Sequence, residues 1–402
     1  MKKSTPPPRP SRPPTGVSVT PSKGPESKEV TRVGDLLRTK RIIVCCGAGG
    51  VGKTTTAAAL SLAAARAGRR VLVLTIDPSK RLAETLGVSR NPPEPVAVPA
   101  ERQLLAGIKA PATLEAWMLD HKLVADSAVR RLTKTPEEAE RVLNNRVYQQ
   151  ISTMVAGMHE YTAMEALHRL VNAGRYDLVV LDTPPSRHAL DFLEAPRRLS
   201  RLIDTRALSA FLPRSDSMVA RAASKLIERI LGAVFGEDFA SEFVAFISMF
   251  SGIFQSLNVD VNTMRTFLSG PDVAFLLVSS PAPTTLAEAH FFQDKTREFG
   301  LPFRGFVLNR SRALNATKAF PDSSQLRGLE GNPDAATALR GMEKLQAMAK
   351  TELEWANRDL ALLRDLETRA GENATAIALP ELPQGADDMG TLISVADVLA
   401  AS

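Results

Sequence analysis

The sequence predicts an α/β protein: a doubly wound, mostly parallel sheet that carries an inserted α-helical subdomain. Three observations lead there. Short, continuous apolar runs alternate with longer helical segments. A glycine-rich stretch, 47–55, separates the first run from the first helix. Two of the intervals between runs are too long to be simple crossover helices.

The runs are Arg41–Cys46, Val71–Ile76, Leu104–Ile108, Asp177–Leu181, Val273–Ser279, Phe303–Leu308 and Thr375–Leu379. A strand covered by helices on both faces is apolar throughout instead of alternating, and such strands belong to a parallel, doubly wound sheet. The two long intervals, about 111–172 and 190–268, both have helical character, which places a helical subdomain over one end of the sheet.

Ahead of the first run, residues 1–30 hold eight prolines among Ser, Thr and Lys. Too little apolar surface is present to offset the entropy of ordering, so this is expected to be a disordered, basic, polyproline-like tail. Residues 31–402 form the folded domain. The net charge of +6 belongs to the tail: residues 1–41 hold ten Lys/Arg against three Asp/Glu, or +7, leaving −1 for the other 361. A basic surface for nucleic acid is therefore not indicated.

The two cysteines, Cys45 and Cys46, are neighbours in the first run. Adjacent strand residues point to opposite faces, which argues against a disulfide between them. No apolar stretch reaches the roughly 18 residues of a membrane span, and the N-terminus has no apolar signal core. A cytoplasmic protein with at most transient membrane contact is expected.

Gly47-Ala48-Gly49-Gly50-Val51-Gly52-Lys53-Thr54 fits G-x4-G-K-[ST] without a mismatch, between an apolar run and the helix Thr55–Arg66. In that context the backbone N–H groups of Gly49, Gly50, Val51 and Gly52 turn around phosphate oxygens, helped by the helix N-terminus. Lys53 brings a charge to the β/γ oxygens. The Thr54 hydroxyl ligates Mg²⁺, and Thr55 closes the loop. The fold is thus of the P-loop NTPase type.

Tyr176–Asp182 ends an apolar strand in a carboxylate, where Asp182 is expected to reach the Mg²⁺ through a water. Thr75-Ile76-Asp77-Pro78-Ser79 ends another. There Asp77 is the candidate catalytic residue, orienting the attacking water beside Lys53. Capping the following helix is its other reading, with Pro78 at the first helical position. The guanine-reading N-K-x-D is absent. Asn309 ends a late strand instead, with an amide suited to adenine N6/N7, so ATP is the expected nucleotide.

Together these residues resemble the ArsA family, the ATPase of the arsenite pump and its relatives that target tail-anchored membrane proteins, over about 40–400. Gly47–Thr55 resembles the family's P-loop, Asp77–Leu82 its first switch and Asp182–Leu190 its second. Asn309-Arg310 and Leu379-Pro380-Glu381-Leu382 resemble its adenine-binding strand ends, which adds Pro380 to the nucleotide site. The resemblance implies an ATP-driven homodimer, or a heterodimer with a paralogue, whose helical subdomain opens and closes over a client as the switches sense the γ-phosphate.

Three departures matter. Ala48 stands where the family's signature Lys crosses the dimer interface, and Lys80, Arg81 and Arg187 are the candidates to replace it. No C-x-x-C is present to bridge a dimer through zinc, so no zinc is expected. The chain also lacks the separated cysteines and tandem duplication of the pump ATPase.

Phe235, Phe239, Phe243, Phe246, Phe250 and Phe254 draw one stripe down a helix. It either lines a groove for an apolar protein client or packs within the subdomain. The expected function is therefore a Mg²⁺-dependent ATP hydrolase that handles or targets a protein client. Its rivals are an ATPase energising anion export through a permease, and a ParA/MinD-like positioning ATPase. Gly385–Ser402 carries three Asp and no Lys or Arg, unlike a membrane- or DNA-binding end.

Overall fold

The computed structural model describes residues 32–76, 81–89, 94–133, 135–146, 158–184, 266–318, 335–381 and 389–402, with a few single positions between. The basic tail, Asp77 to Lys80, Arg187 with the rest of the second switch beyond Pro184, and the phenylalanine stripe save Phe243 lie outside the described residues, as does nearly all of 190–265.

In chain order the described elements begin with α1 (Val33–Thr39), β1 (Ile42–Gly47), α2 (Lys53–Arg66), β2 (Arg70–Thr75) and α3 (Arg81–Leu86). Next come β3 (Val96–Ala97), α4 (Ala100–Leu105), β4 (Thr113–Met118), α5 (His121–Leu132), α6 (Pro136–Leu143), α7 (Met158–Asn172) and β5 (Leu178–Asp182). The chain then supplies β6 (Val273–Ser279), α8 (Pro283–Glu298), β7 (Phe303–Ser311), a 3₁₀ turn at Ala313–Asn315, α9 (Ala335–Ala370), β8 (Thr375–Pro380) and α10 (Met389–Ala401).

The eight strands make one sheet in the order β3-β4-β2-β5-β1-β6-β7-β8, parallel throughout except for β3 against β4. Alternate residues of β1 enter two separate cores: Ile43 and Cys45 on one face, Ile42, Val44 and Cys46 on the other. That is why the strand is apolar without a break, and why its two cysteines are free thiols facing opposite ways. Burial raises both thiol pKa values, Cys46 to about 12, so neither is a ready thiolate.

α2 is alanine-rich and buried along nearly its whole length, including Ala57, Ala58, Leu60, Leu62, Ala64 and Ala65. It lies between the sheet, chiefly β5 and β2, and α10, with α1 also against it. Small side chains permit that close approach on several sides at once.

One expected strand is a helix. Leu104–Ile108 supplies the end of α4 and the turn after it. Glu101 sits in α4's first turn, and Gly107, at φ 77, closes the turn that ends it. Leu104 and Leu105 are 77% and 68% exposed, so they add nothing to the core. The strand lies further on, as β4, inside the interval expected to be helical. Glu115 interrupts its apolar pattern, but it accepts from Arg175 Nη2 at 2.7 Å and from the Tyr176 hydroxyl at 2.6 Å. A charged residue is tolerated in the strand because partners on the β5 side satisfy it. α5, α6 and α7 follow in the same interval.

Among the described residues no helix is long and apolar enough to cross a membrane, and no group of three or more His, Cys, Asp or Glu could hold a metal ion.

Candidate nucleotide site

The chain leaves β1 by α2 toward β2 on one side of the sheet, and later builds β6, β7 and β8 on the other. The carboxyl end of β1 is therefore a switch point of the winding, where open α/β sheets form a ligand crevice. The glycine-rich loop emerges there.

Its backbone cannot take side chains at two places. A Cβ on Gly47 would lie 2.0 Å from the Val278 carbonyl oxygen of the paired strand β6. One on Gly52, at φ 92, would lie 2.1 Å from Asn309 Nδ2. Gly49 and Gly50 face solvent, whereas Ala48 and Val51 are buried beneath the loop. Lys53, only 5% exposed, turns its ammonium back into the loop and donates to the Ala48 carbonyl at 2.8 Å. Thr54 and Thr55 are half-buried in the first turn of α2. Such a concave ring of backbone around a cation is built for phosphate oxygens.

Asp182 ends β5 between β1 and β2, in register with Cys45 on one side and Thr75 on the other. It is fully buried, and its Oδ2 accepts from Thr54 Oγ1 at 2.7 Å and from Thr75 Oγ1 at 2.9 Å. The two residues assigned to Mg²⁺ by sequence thus touch each other beside the loop. A hydroxyl and a carboxylate are hard oxygen donors, which fits that ion.

Sequence reasoning passed over two supporting residues. Thr75 fixes the carboxylate's rotamer. Thr183 pins the chain leaving β5 to the end of β1 through Oγ1 to the Cys45 carbonyl at 2.8 Å. A hydroxyl closing each of two adjacent central strands was the available signal. Asp77 follows directly on Ile76, whose N–H donates to the Asp182 carbonyl at 3.1 Å, and is itself outside the described residues.

Asn309 differs from its expected posture. It is 7% exposed, and Nδ2 donates to the Val51 carbonyl at 2.8 Å, so the amide is turned under the P-loop instead of being offered to a base. The cause is local. The β7–β8 register shifts between Leu308 and Ser311, Arg310 adopts φ 56, and Gly52 leaves room for the amide. Pro380 ends β8 opposite Ser311, on the same side of the crevice.

A family model described as anion-transporting ATPase matches residues 40–319. An uncharacterized protein of Streptomyces coelicolor is 28% identical over 354 residues, covering 88% of this chain and 75% of that protein. An ATPase ASNA1 homolog of Leishmania braziliensis is 29% identical over 214 residues, covering 48% of this chain and 51% of its own. The ATPase get3 of Aspergillus terreus is 26% identical over 167 residues, covering 41% and 46%. The chain thus matches about half the length of these last two relatives.

Proposed function

The chain belongs to the anion-transporting ATPase family, and on that premise we propose that it is a Mg²⁺-dependent ATP hydrolase coupling its nucleotide cycle to the handling of a protein client. The observation that carries the nucleotide chemistry is the 2.7 Å contact between Thr54 Oγ1 and Asp182 Oδ2 at the foot of the P-loop.

In this reading the loop amides from Gly49 to Gly52, with Thr54 and Thr55, orient the β- and γ-phosphates. Lys53 exchanges the Ala48 carbonyl for phosphate oxygen, so its charge moves onto the transferring group. Thr54 and Asp182 would hold Mg²⁺, and the ion would supply charge to the same oxygens when bound. Asp77 orients the attacking water. Asn309 acts from below, holding the loop in the shape the phosphates need.

Replacing Asp182 by Asn keeps the shape and one acceptor oxygen but loses the charge. Loss of such an outer partner typically costs about 10- to 100-fold in metal affinity. The half-saturating Mg²⁺ for ATP turnover is therefore expected to rise by at least about tenfold, read from hydrolysis rates across a Mg²⁺ titration. An unchanged midpoint would remove Asp182 from the metal site.

Client handling, in a dimer and in the cytoplasm, follows from the resemblance of the P-loop and switch motifs to the ArsA family, with the Phe235–Phe254 stripe as the candidate surface. Asp77→Asn is expected to bind ATP without hydrolysing it. Crosslinking that trapped protein in ATP should capture an apolar helical segment of a client, and capture should be lost when Phe246 and Phe250 are changed to Ser. Capture of the same client in ADP and ATP alike would break the proposed coupling.

A second reading, anion export through a permease, follows from the family's description. The buried, opposed Cys45 and Cys46 offer no thiolate pair for a metalloid.

A further inference from the structure

The nucleotide reading says where the phosphates go; the sheet order indicates where the rest of the molecule lies. The metal-side residues Thr54, Thr75 and Asp182 are all on the β5–β2 side of β1. A nucleotide whose phosphates end there extends its nucleoside the other way, over the carboxyl ends of β6, β7 and β8. At that end stands Arg312, three residues beyond Asn309.

Arg312 joins three separate parts of the chain. Its Nη2 reaches Glu381 Oε2 at 3.1 Å, on the residue immediately after Pro380, where the chain leaves β8. Its Nε lies 3.5 Å from Glu352 Oε2, and its guanidinium carbon 4.2 Å from the ring centre of Trp355, both on α9. Its backbone N–H donates to the buried Asp359 Oδ2 at 2.8 Å, one further turn along the same helix. Glu352, Trp355 and Asp359 are spaced three and four residues apart, so one face of α9 is presented to this guanidinium.

The contacts form a continuous path. Val51 of the P-loop holds Asn309, Asn309 leads through the Arg310 bulge to Ser311 and Arg312, and Arg312 clasps both α9 and the exit of β8. The Arg312 side chain is 30% exposed and Trp355 45%. Both sit at the rim of the crevice, so the core does not depend on them for packing. A planar cation stacked on an indole and forked to two carboxylates sets the angle of the segment it holds, which a lysine would do less well.

We propose that Arg312 is a positioning residue for the nucleoside end of the bound nucleotide, holding the exit of β8 at Pro380 and Glu381 against α9 so that these strand ends keep a fixed wall on the base side. The proposal rests on the P-loop being the phosphate site. It separates two parts of one ligand: Arg312 governs nucleoside affinity, whereas the P-loop alone governs the phosphates.

The test is a titration of the full chain with ADP and, separately, with inorganic pyrophosphate, which carries the phosphates without the nucleoside. Arg312→Met keeps the length of the stem and removes the fork. It is expected to weaken ADP binding about three- to tenfold, the range for a partly exposed ion-pair and cation–π cluster, and to leave pyrophosphate affinity as in wild type. Arg312→Lys should recover part of the ADP loss, because a charge near Glu381 and Glu352 returns without the stacked plane. Equal losses for ADP and pyrophosphate would show a general structural effect, and no loss for ADP would show that Arg312 does not set the base wall. Either outcome overturns the proposal. Lys53→Ala serves as the control for the underlying reading. If wild type binds neither ligand, or Lys53→Ala binds both as wild type does, the phosphate site itself is misassigned and the proposal falls with it.

Discussion

Lys53→Ala is expected to leave a folded protein that no longer turns over ATP. In the structure the Lys53 ammonium is almost completely enclosed and donates to the Ala48 carbonyl inside the loop, so its charge is held ready where phosphate oxygens enter. Removal of a single preorganised donor from a transition-state site costs on the order of 10²- to 10³-fold in rate. Here the lost group is a full charge, and the other side chains of the loop, Ala48 and Val51, carry none to replace it. Hydrolysis should fall by at least about 10³-fold, with the melting temperature almost unchanged, since alanine is the better helix former at the start of α2. Phosphate release at saturating Mg²⁺ and ATP, beside a thermal melt, reads both quantities. Turnover within a few-fold of wild type would mean that the loop is not the catalytic phosphate site.

Gly47→Ala is expected to damage fold and site together. The added Cβ would meet the Val278 carbonyl oxygen at 2.0 Å, and the two residues are already paired in the β1–β6 ladder. No side chain can swing away to relieve that contact, so a strand must shift. Overpacking of this kind costs on the order of 3 kcal/mol, which lowers the melting temperature by roughly 5–10 °C in a large domain. The shift also moves the first amides of the P-loop, and nucleotide binding should be lost. Gly174→Ala is the comparison: at φ 67 it is strained, but its Cβ would meet nothing within 4 Å. It should cost only about 1 kcal/mol and leave binding intact. If Gly47→Ala melts like Gly174→Ala, the close approach is not what requires glycine there.

The parts of the fold that could be read from sequence are those whose cause is local. β1, β2, β5 and β6 are buried on both faces, and burial on both faces writes an unbroken apolar run. The P-loop needs its glycines and lysine at fixed spacing, so motif and structure coincide at Gly47–Thr54. β4 escaped because Glu115 breaks the run, and only a tertiary partner, Arg175 or Tyr176, makes a charge acceptable there. Leu104 and Leu105 misled for the converse reason: apolarity in a short exposed helix carries no structural instruction. The orientation of Asn309 was beyond reach for another reason. It depends on a one-residue register shift between β7 and β8 and on the missing Cβ of Gly52, a residue 257 positions away in sequence. Arg312 likewise draws its meaning from Glu352 and Glu381, 40 and 69 positions downstream.

The helix that starts at Lys53 is closed in by the sheet, α1 and α10, with alanine or serine at most of its contacts. A rod so tightly enclosed cannot slide or tilt without opening voids on one side and clashes on the other. The amide protons of its buried interior, from Ala57 to Ala65, should therefore exchange with deuterium only when the whole domain unfolds, and at the same rate whether nucleotide is absent, ADP or ATP, once the change in global stability is subtracted. A displacement produced by the γ-phosphate would then leave this helix in place, a fixed reference for the rest of the nucleotide site.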